Sequence, residues 1–232
     1  MGSRDDFLGR EYLNTWLDAG VESASIKPPR LRAAKKTRPT PAASSVAVKT
    51  LDDVRNWIGE CKRCGLCQER QSIVFGDGNP KTRLLFVGEG PGADEDRQGL
   101  PFVGRAGQLL NKIIEAMEFQ RKDVYIANIV KCRPPGNRQP EQGEIAACLP
   151  FLKAQIAIIK PEYIVALGAT AVGALLNHQG PMASIRGKFQ KLAWEPGTPV
   201  MPTYHPAYLL RNPPAKKFVW EDMKKVMAKM NG

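Results

Sequence analysis

The chain predicts an α/β fold: a parallel sheet covered by helices on both faces. Three observations carry this. Short apolar runs at 83–87, 123–130, 162–167 and 199–203 read as strands. Longer stretches with helical spacing, at 105–118, 140–159, 169–178 and 215–230, alternate with them, which is the pattern of a parallel sheet. The run Leu84-Leu85-Phe86-Val87 feeds no short turn. It breaks at Gly88 into Glu89-Gly90-Pro91-Gly92, and about sixteen residues pass before the helix at Arg105. Open α/β sheets place ligands at such strand ends, and long ordered loops in compact domains are usually functional.

Residues 4–22 predict a short helix, with Phe7, Leu8, Tyr12, Leu13, Trp16 and Leu17 at helical spacing. Residues 26–50 hold seven Lys or Arg, four Pro and no acid, and read as a flexible basic linker. The compact domain is expected over 51–232, beginning with a helix that Thr50 and Asp53 start and that runs toward Cys61. Ile164-Val165-Ala166-Leu167-Gly168 has the form of a fully buried strand ending.

With 232 residues, 43% of them hydrophobic, the chain can bury one substantial core. No apolar run approaches a membrane span, and the early acids argue against a secretory leader. The formal charge of +11 favours a polyanionic partner without specifying one. A monomer acting away from membranes is expected.

Cys61, Cys64 and Cys67 form C-x2-C-x2-C, and Cys132 and Cys148 follow far downstream with fifteen residues between them. Four thiolates can hold a zinc ion or an iron–sulfur cluster. The second C-x2-C of a two-knuckle zinc site is absent. The wide spacing suits a cubane cluster tying the early helix to later loops. Spacing alone leaves Cys67 and the distal pair as alternative ligands.

Asn128 ends the second long strand. A fixed carboxamide both donates and accepts, so it can read the O4/N3–H edge of uracil and mismatch cytosine. His205 follows the last strand and precedes Pro206, which holds its backbone extended. Its imidazole can donate to charge developing on a ligand oxygen. Leu209, Leu210 and Arg211 join apolar bulk to a cation, as minor-groove wedges do.

Taken together, these segments resemble the family 4 uracil-DNA glycosylases, the iron–sulfur type of bacteria and archaea. The likeness covers roughly 55–230. It is carried by Cys61-x2-Cys64, Val74 to Pro80, Gly88-Glu89-Gly90-Pro91-Gly92-Ala93-Asp94-Glu95-Asp96, Pro101-Phe102-Val103-Gly104-Arg105-Ala106-Gly107, Lys131-Cys132-Arg133-Pro134-Pro135-Gly136-Asn137-Arg138 and His205 to Leu210. The resemblance implies a three-layer α/β/α sandwich with a central four-stranded parallel sheet. It implies a [4Fe–4S] cluster on Cys61, Cys64, Cys132 and Cys148, with Cys67 a spare, and uracil-containing DNA, double- or single-stranded, as partner in a bacterial or archaeal cytoplasm. Phe102 is then expected to stack on the flipped base, Asn128 to read its edge, Gly90 to offer its N–H, and His205 to stabilise the departing uracil anion. Related families carry a water-activating Asp where this chain has Gly90. Water handling is therefore expected at Asn137 and Glu95, the alternative for Glu95 being to crowd the C5 face of the base, with Glu89 acting through placement or electrostatics. No Lys is placed as a Schiff-base nucleophile, so a monofunctional enzyme leaving an abasic site is expected. The alternative is a non-catalytic iron–sulfur DNA-binding module, which would need no Asn128/His205 pair.

Overall fold

The computed structural model describes residues 48–232. The expected helix over 4–22 and all but the last three residues of the basic linker lie outside them. Helix α1 (Leu51–Ile58) opens the described part. Its start is a reciprocal cap: the Asp53 N–H donates to Thr50 Oγ1 at 3.1 Å, and the Thr50 N–H donates to the Asp53 carboxylate at 2.8 Å.

Four strands form the parallel centre of the sheet: β2 (Leu84–Gly88), β3 (Tyr125–Asn128), β4 (Tyr163–Leu167) and β6 (Pro199–Thr203). Two-residue strands, β1 (Asp77–Gly78) and β5 (Gln190–Lys191), pair antiparallel on its edges. The sheet therefore has six strands in the order β1-β3-β2-β4-β6-β5, where four were expected. Two residues are too few to leave a periodic signal, which is why the edges were not legible.

Alternation along the strands divides the core. Leu85, Val87, Ile164 and Ala166 face one side, where they meet α1, α4 (Gln142–Ile159) and α5 (Gly168–Leu176). Leu84, Phe86, Val165 and Leu167 face the other, against α3 (Arg105–Ala116) and α8 (Lys216–Asn231). Strands buried on both faces need apolar residues at every position, and that is what these runs contain.

Helix α4 alone among the described residues has the length and composition to cross a membrane, which the sequence reading did not anticipate. Its Cys148, Phe151, Leu152, Gln155 and Ile156 are instead buried inside the fold. The long loop after β2 is not wholly irregular either, since it holds α2 (Ala93–Gln98). Asp96 on α2 is buried, and its Oδ1 accepts from the N–H groups of Gln71 and Ser72 at 2.9 and 3.1 Å, which fixes the loop to the chain before the sheet.

The register aligns the strand ends. Gly88 sits opposite Asn128, and Leu167 opposite Thr203, so β2, β3, β4 and β6 all release their chains at one edge. The short helices α6 (Met182–Ile185) and α7 (Pro206–Arg211) flank that edge. At the end of β6, Asp222 of α8 is fully buried and accepts from Thr203 Oγ1 at 2.7 Å and from the fork of Arg186. The Arg186 guanidinium lies 5.0 Å from the Phe218 ring centroid. Burial pushes the Asp222 carboxyl upward, while Thr203 and Arg186 pull it back toward ionisation.

Removing one partner of such a pair strands a buried charge. Asp222→Ala is expected to lower stability by about 3–5 kcal/mol, read from the urea-unfolding midpoint at constant slope.

Candidate active site

The strand-end edge opens into a cavity of about 810 Å³, lined by Glu89, Gly90, Phe102, Gly168, His205 and Tyr208 among others. Phe102 has φ 53, a left-handed backbone that side chains other than Gly seldom adopt. Two clamps impose it. The Arg121 guanidinium donates to the carbonyls of Pro101 and Phe102 at 2.6 and 3.1 Å, and to Asn111 Oδ1 at 3.1 Å. From the other side, Glu95 Oε1 accepts from the N–H groups of Val103 and Gly104 at 2.9 and 2.8 Å, and its Oε2 accepts from Gly92 at 3.1 Å. The bare Cα of Gly107 completes the arrangement: a Cβ there would lie 2.0 Å from the Phe102 carbonyl.

The Phe102 ring faces His205, with centroids 5.5 Å apart and planes 32° apart. Its tip lies near Asn128. A Cβ on Gly88 would stand 2.5 Å from Phe102 Cζ and 2.6 Å from Asn128 Oδ1, so ring tip and carboxamide share one small space over Gly88. Asn128 is 1% exposed, and neither its Oδ1 nor its Nδ2 has a hydrogen-bond partner. A buried amide left unpaired costs about 1–3 kcal/mol, and such a group in a folded protein calls for an explanation. The carboxamide does not line the open cavity directly; the Phe102 ring stands beside it.

His205 caps α7. Its Nδ1 accepts from the Ala207 N–H at 3.1 Å, so a neutral ring carries its proton on Nε2. Desolvation lowers its pKa to about 4, with Arg211 adding in the same direction. The imidazole is thus a neutral donor at physiological pH. A Cβ on Gly168 would lie 2.9 Å from His205 Cβ, so α5 and α7 approach closely there.

The remaining expected residues separate by environment. Glu89 accepts a short hydrogen bond from the Thr170 hydroxyl, and burial raises its pKa against that bond. Asn137, exposed and at φ 55, accepts from Arg133 Nε at 2.7 Å. Glu95 lines the cavity with both oxygens already bonded to backbone, so its geometry is that of a loop clamp. Leu209 corrects the expected wedge: it is fully buried in the core beneath α7, while Leu210 is half-buried and Arg211 exposed. Tyr208 turns outward at 37% exposure, its ring 5.0 Å from that of Tyr204, and the sequence reading passed over it. Arg121 and Thr170 were missed as well, because nothing near them in sequence marks a site.

A second, smaller cavity is lined by Cys61, Cys64, Cys132 and Cys148, with Arg63 and Arg70 at its rim. Three N–H groups aim at sulfur: Arg63 Nη1 at Cys61 Sγ and Arg70 Nη1 at Cys132 Sγ, each at 3.3 Å, and the Lys131 backbone N–H at Cys148 Sγ, 3.2 Å. Burial pushes the Cys148 thiol up to about 12, and raises Cys64 and Cys132 too. Among the described residues no three Cys, His, Asp or Glu side chains meet tightly enough to hold one ion. Four thiols ringing a cavity, with donors pointed at three of them, fit a cluster of several atoms. Cys67 is half-exposed and does not line the cavity.

The sequence model of the uracil DNA glycosylase superfamily matches residues 75–224. The Type-4 uracil-DNA glycosylase of Thermotoga maritima is 47% identical over 178 residues, which are 75% of this chain and 92% of that protein. The Type-4 enzymes of Sulfurisphaera tokodaii and Saccharolobus solfataricus are 44% and 43% identical, over 76% of this chain in each case and 83% and 84% of theirs.

Because the His205 pKa is lowered from 6.5 to about 4, its contribution to stability is complete above about pH 6.5 and is lost as pH falls toward about 4. His205→Gln is expected to flatten the pH dependence of unfolding free energy across that window, measured by urea titration. Gly107→Ala is expected to displace the Phe102 loop, quenching neither folding nor secondary structure but shifting the Phe102 ring resonances in NMR spectra.

Proposed function

Since the chain belongs to the uracil-DNA glycosylase superfamily, and within it to the type-4 group, we propose that it removes uracil from DNA by hydrolysing the N-glycosidic bond and leaves an abasic site. One observation carries the assignment of its site: the buried carboxamide of Asn128 has no partner of its own, so its polar edge is available to a ligand.

Uracil must leave the stack before such a pocket can take it. Phe102, locked by Arg121 and Glu95, offers the flat apolar face on which the ring stacks. Asn128 donates to O4 and accepts from N3–H, which cytosine cannot reciprocate. His205, neutral with its proton on Nε2, donates to O2 as negative charge develops on the leaving base. Because the imidazole is already neutral and oriented, it stabilises the anion without first losing a proton. Gly90 lies at the cavity wall, where a Cβ would strike Val130 Cγ2 at 2.7 Å, and its backbone N–H is the group offered to the base.

The attacking water is the job of groups on the cavity's other wall. Asn137 lines it from the loop after β3, and Glu89 from the loop after β2, its carboxyl oriented by Thr170. Glu95, expected to handle water or crowd the C5 face, instead positions the Phe102 loop through Val103 and Gly104. Tyr208 and Arg211, at the mouth, are the groups that meet DNA, with Leu210 behind them.

We assign a [4Fe–4S] cluster to Cys61, Cys64, Cys132 and Cys148. When bound, it cross-links three distant stretches of chain and supplies the charge that keeps the four sulfurs as thiolates. Arg63 and Arg70 lend cationic N–H groups to those sulfurs. The relatives come from bacteria and archaea, and the protein acts on DNA in the cytoplasm of such a cell as a single subunit.

Uracil release from a uracil-containing oligonucleotide is the direct test. Asn128→Ala and His205→Ala are each expected to lower the rate by about 100–1,000-fold, and strands are expected to break only after alkali or heat. Full release by both variants would overturn the site. Anaerobically purified protein is expected to be brown and to contain about four irons per chain; a colourless, zinc-loaded protein would overturn the cluster.

A further inference from the structure

Lys131 lines the cysteine cavity, is 1% exposed and is among the largest fully buried side chains of the described residues. Its Nζ donates to the Asn128 carbonyl at 3.0 Å and to Gln155 Oε1 at 2.6 Å. Gln155, on α4, passes the connection on: its Nε2 donates to the Phe75 carbonyl at 3.0 Å. At its other end Lys131 belongs to the cysteine site. Its backbone N–H donates to Cys148 Sγ, and Cys132 is the next residue. Its own carbonyl accepts from the Val74 N–H at 2.8 Å.

A lysine this deep needs a reason. Ordinary packing would use Leu or Met, which carry no desolvation cost. Among the described residues no carboxylate bonds its Nζ; two neutral oxygens do, and one of them is the carbonyl of Asn128, whose side-chain amide is unpaired there. The strand β3 has already ended at Asn128, so this carbonyl has left the ladder for a side-chain donor.

We propose that Lys131 is a positioning residue that sets the Asn128 carboxamide from the cysteine site. Cys148 fixes its backbone, its Nζ fixes the Asn128 peptide, and the orientation of that peptide aims the amide over Gly88. This rests on the reading of Asn128 as the group that meets uracil. The cluster then does more than hold the fold together: the frame it makes is the frame in which the base is read.

The test uses holo protein, with iron and sulfide content, thermal midpoint and inhibition by free uracil as separate readouts. Lys131→Met keeps all four thiols and the backbone N–H to Cys148, so iron content is expected to stay at the wild-type level. Inhibition by free uracil is expected to weaken about ten-fold. The double variant Lys131→Met/Gln155→Leu removes the amide oxygen the first change leaves unpaired. Because it also takes the donor from the Phe75 carbonyl, its thermal midpoint is expected to stay near that of Lys131→Met, and uracil inhibition is expected not to recover. Unchanged inhibition in Lys131→Met overturns the proposal. So does recovery of inhibition together with stability in the double variant, or loss of iron from both, since the lysine would then serve only the fold or the cluster. Asn128→Ala separates the layers: unchanged inhibition there overturns the pocket reading and this inference with it, whereas weakening there with unchanged inhibition in Lys131→Met removes Lys131 alone.

Discussion

The bare Cα of Gly88 is the constraint on which the site turns. The parallel register sets it opposite Asn128, and the space a side chain would fill is taken by the Phe102 ring tip and the Asn128 amide. Two strands lie 4.7–4.9 Å apart in any sheet, so residues at paired ends are always neighbours. What is particular here is that one end gives up its volume so that an aromatic face and a carboxamide can crowd together over it. Everything else at the edge serves that crowding: Arg121 and Glu95 hold Phe102 in a backbone it would otherwise avoid, and Gly107 lets its carbonyl come in.

Holding a residue in the left-handed region costs of order 1–3 kcal/mol. The molecule offsets this with charge-assisted bonds that fall on backbone. Arg121 meets two carbonyls and Glu95 three N–H groups, each bond being stronger than its neutral counterpart. The same economy recurs at the end of β6, where Asp222 and Arg186 anchor the strand that leads to His205. In both places an ionised group bonds to the chain near the strand ends, while the polar groups between them, Asn128 and His205, are neutral.

Much of the fold could be read from the chain because its strands are buried on both faces and its helices are long. Leu84 to Val87 and Ile164 to Leu167 are apolar without interruption, and Thr50 with Asp53 announces a helix by chemistry alone. The edge strands at Asp77–Gly78 and Gln190–Lys191 escaped because a period of two cannot be seen in two residues. In the site, Phe102, Asn128 and His205 were legible because each stands at a break in a strong pattern. Arg121 and Thr170 were not, since their contacts span 10 to 81 positions of sequence, and Lys131 was not, since its bond to Gln155 spans 24 and its burial leaves no local mark. Leu209 was misread for a related reason. A six-residue helix turns one side of a short motif inward, and the linear string Leu209-Leu210-Arg211 does not say which side.

That small helix has a mechanical consequence. Its cap is the imidazole, its outer turn carries the Tyr208 ring, and its inner turn is pinned by Leu209 at zero exposure. A load applied to the ring has no slack to dissipate in; it is borne by a stub too short to bend and is handed to the residue at its root. The exposed ring and the capping imidazole thus share one bearing, and a loose fit at Leu209 would displace both together.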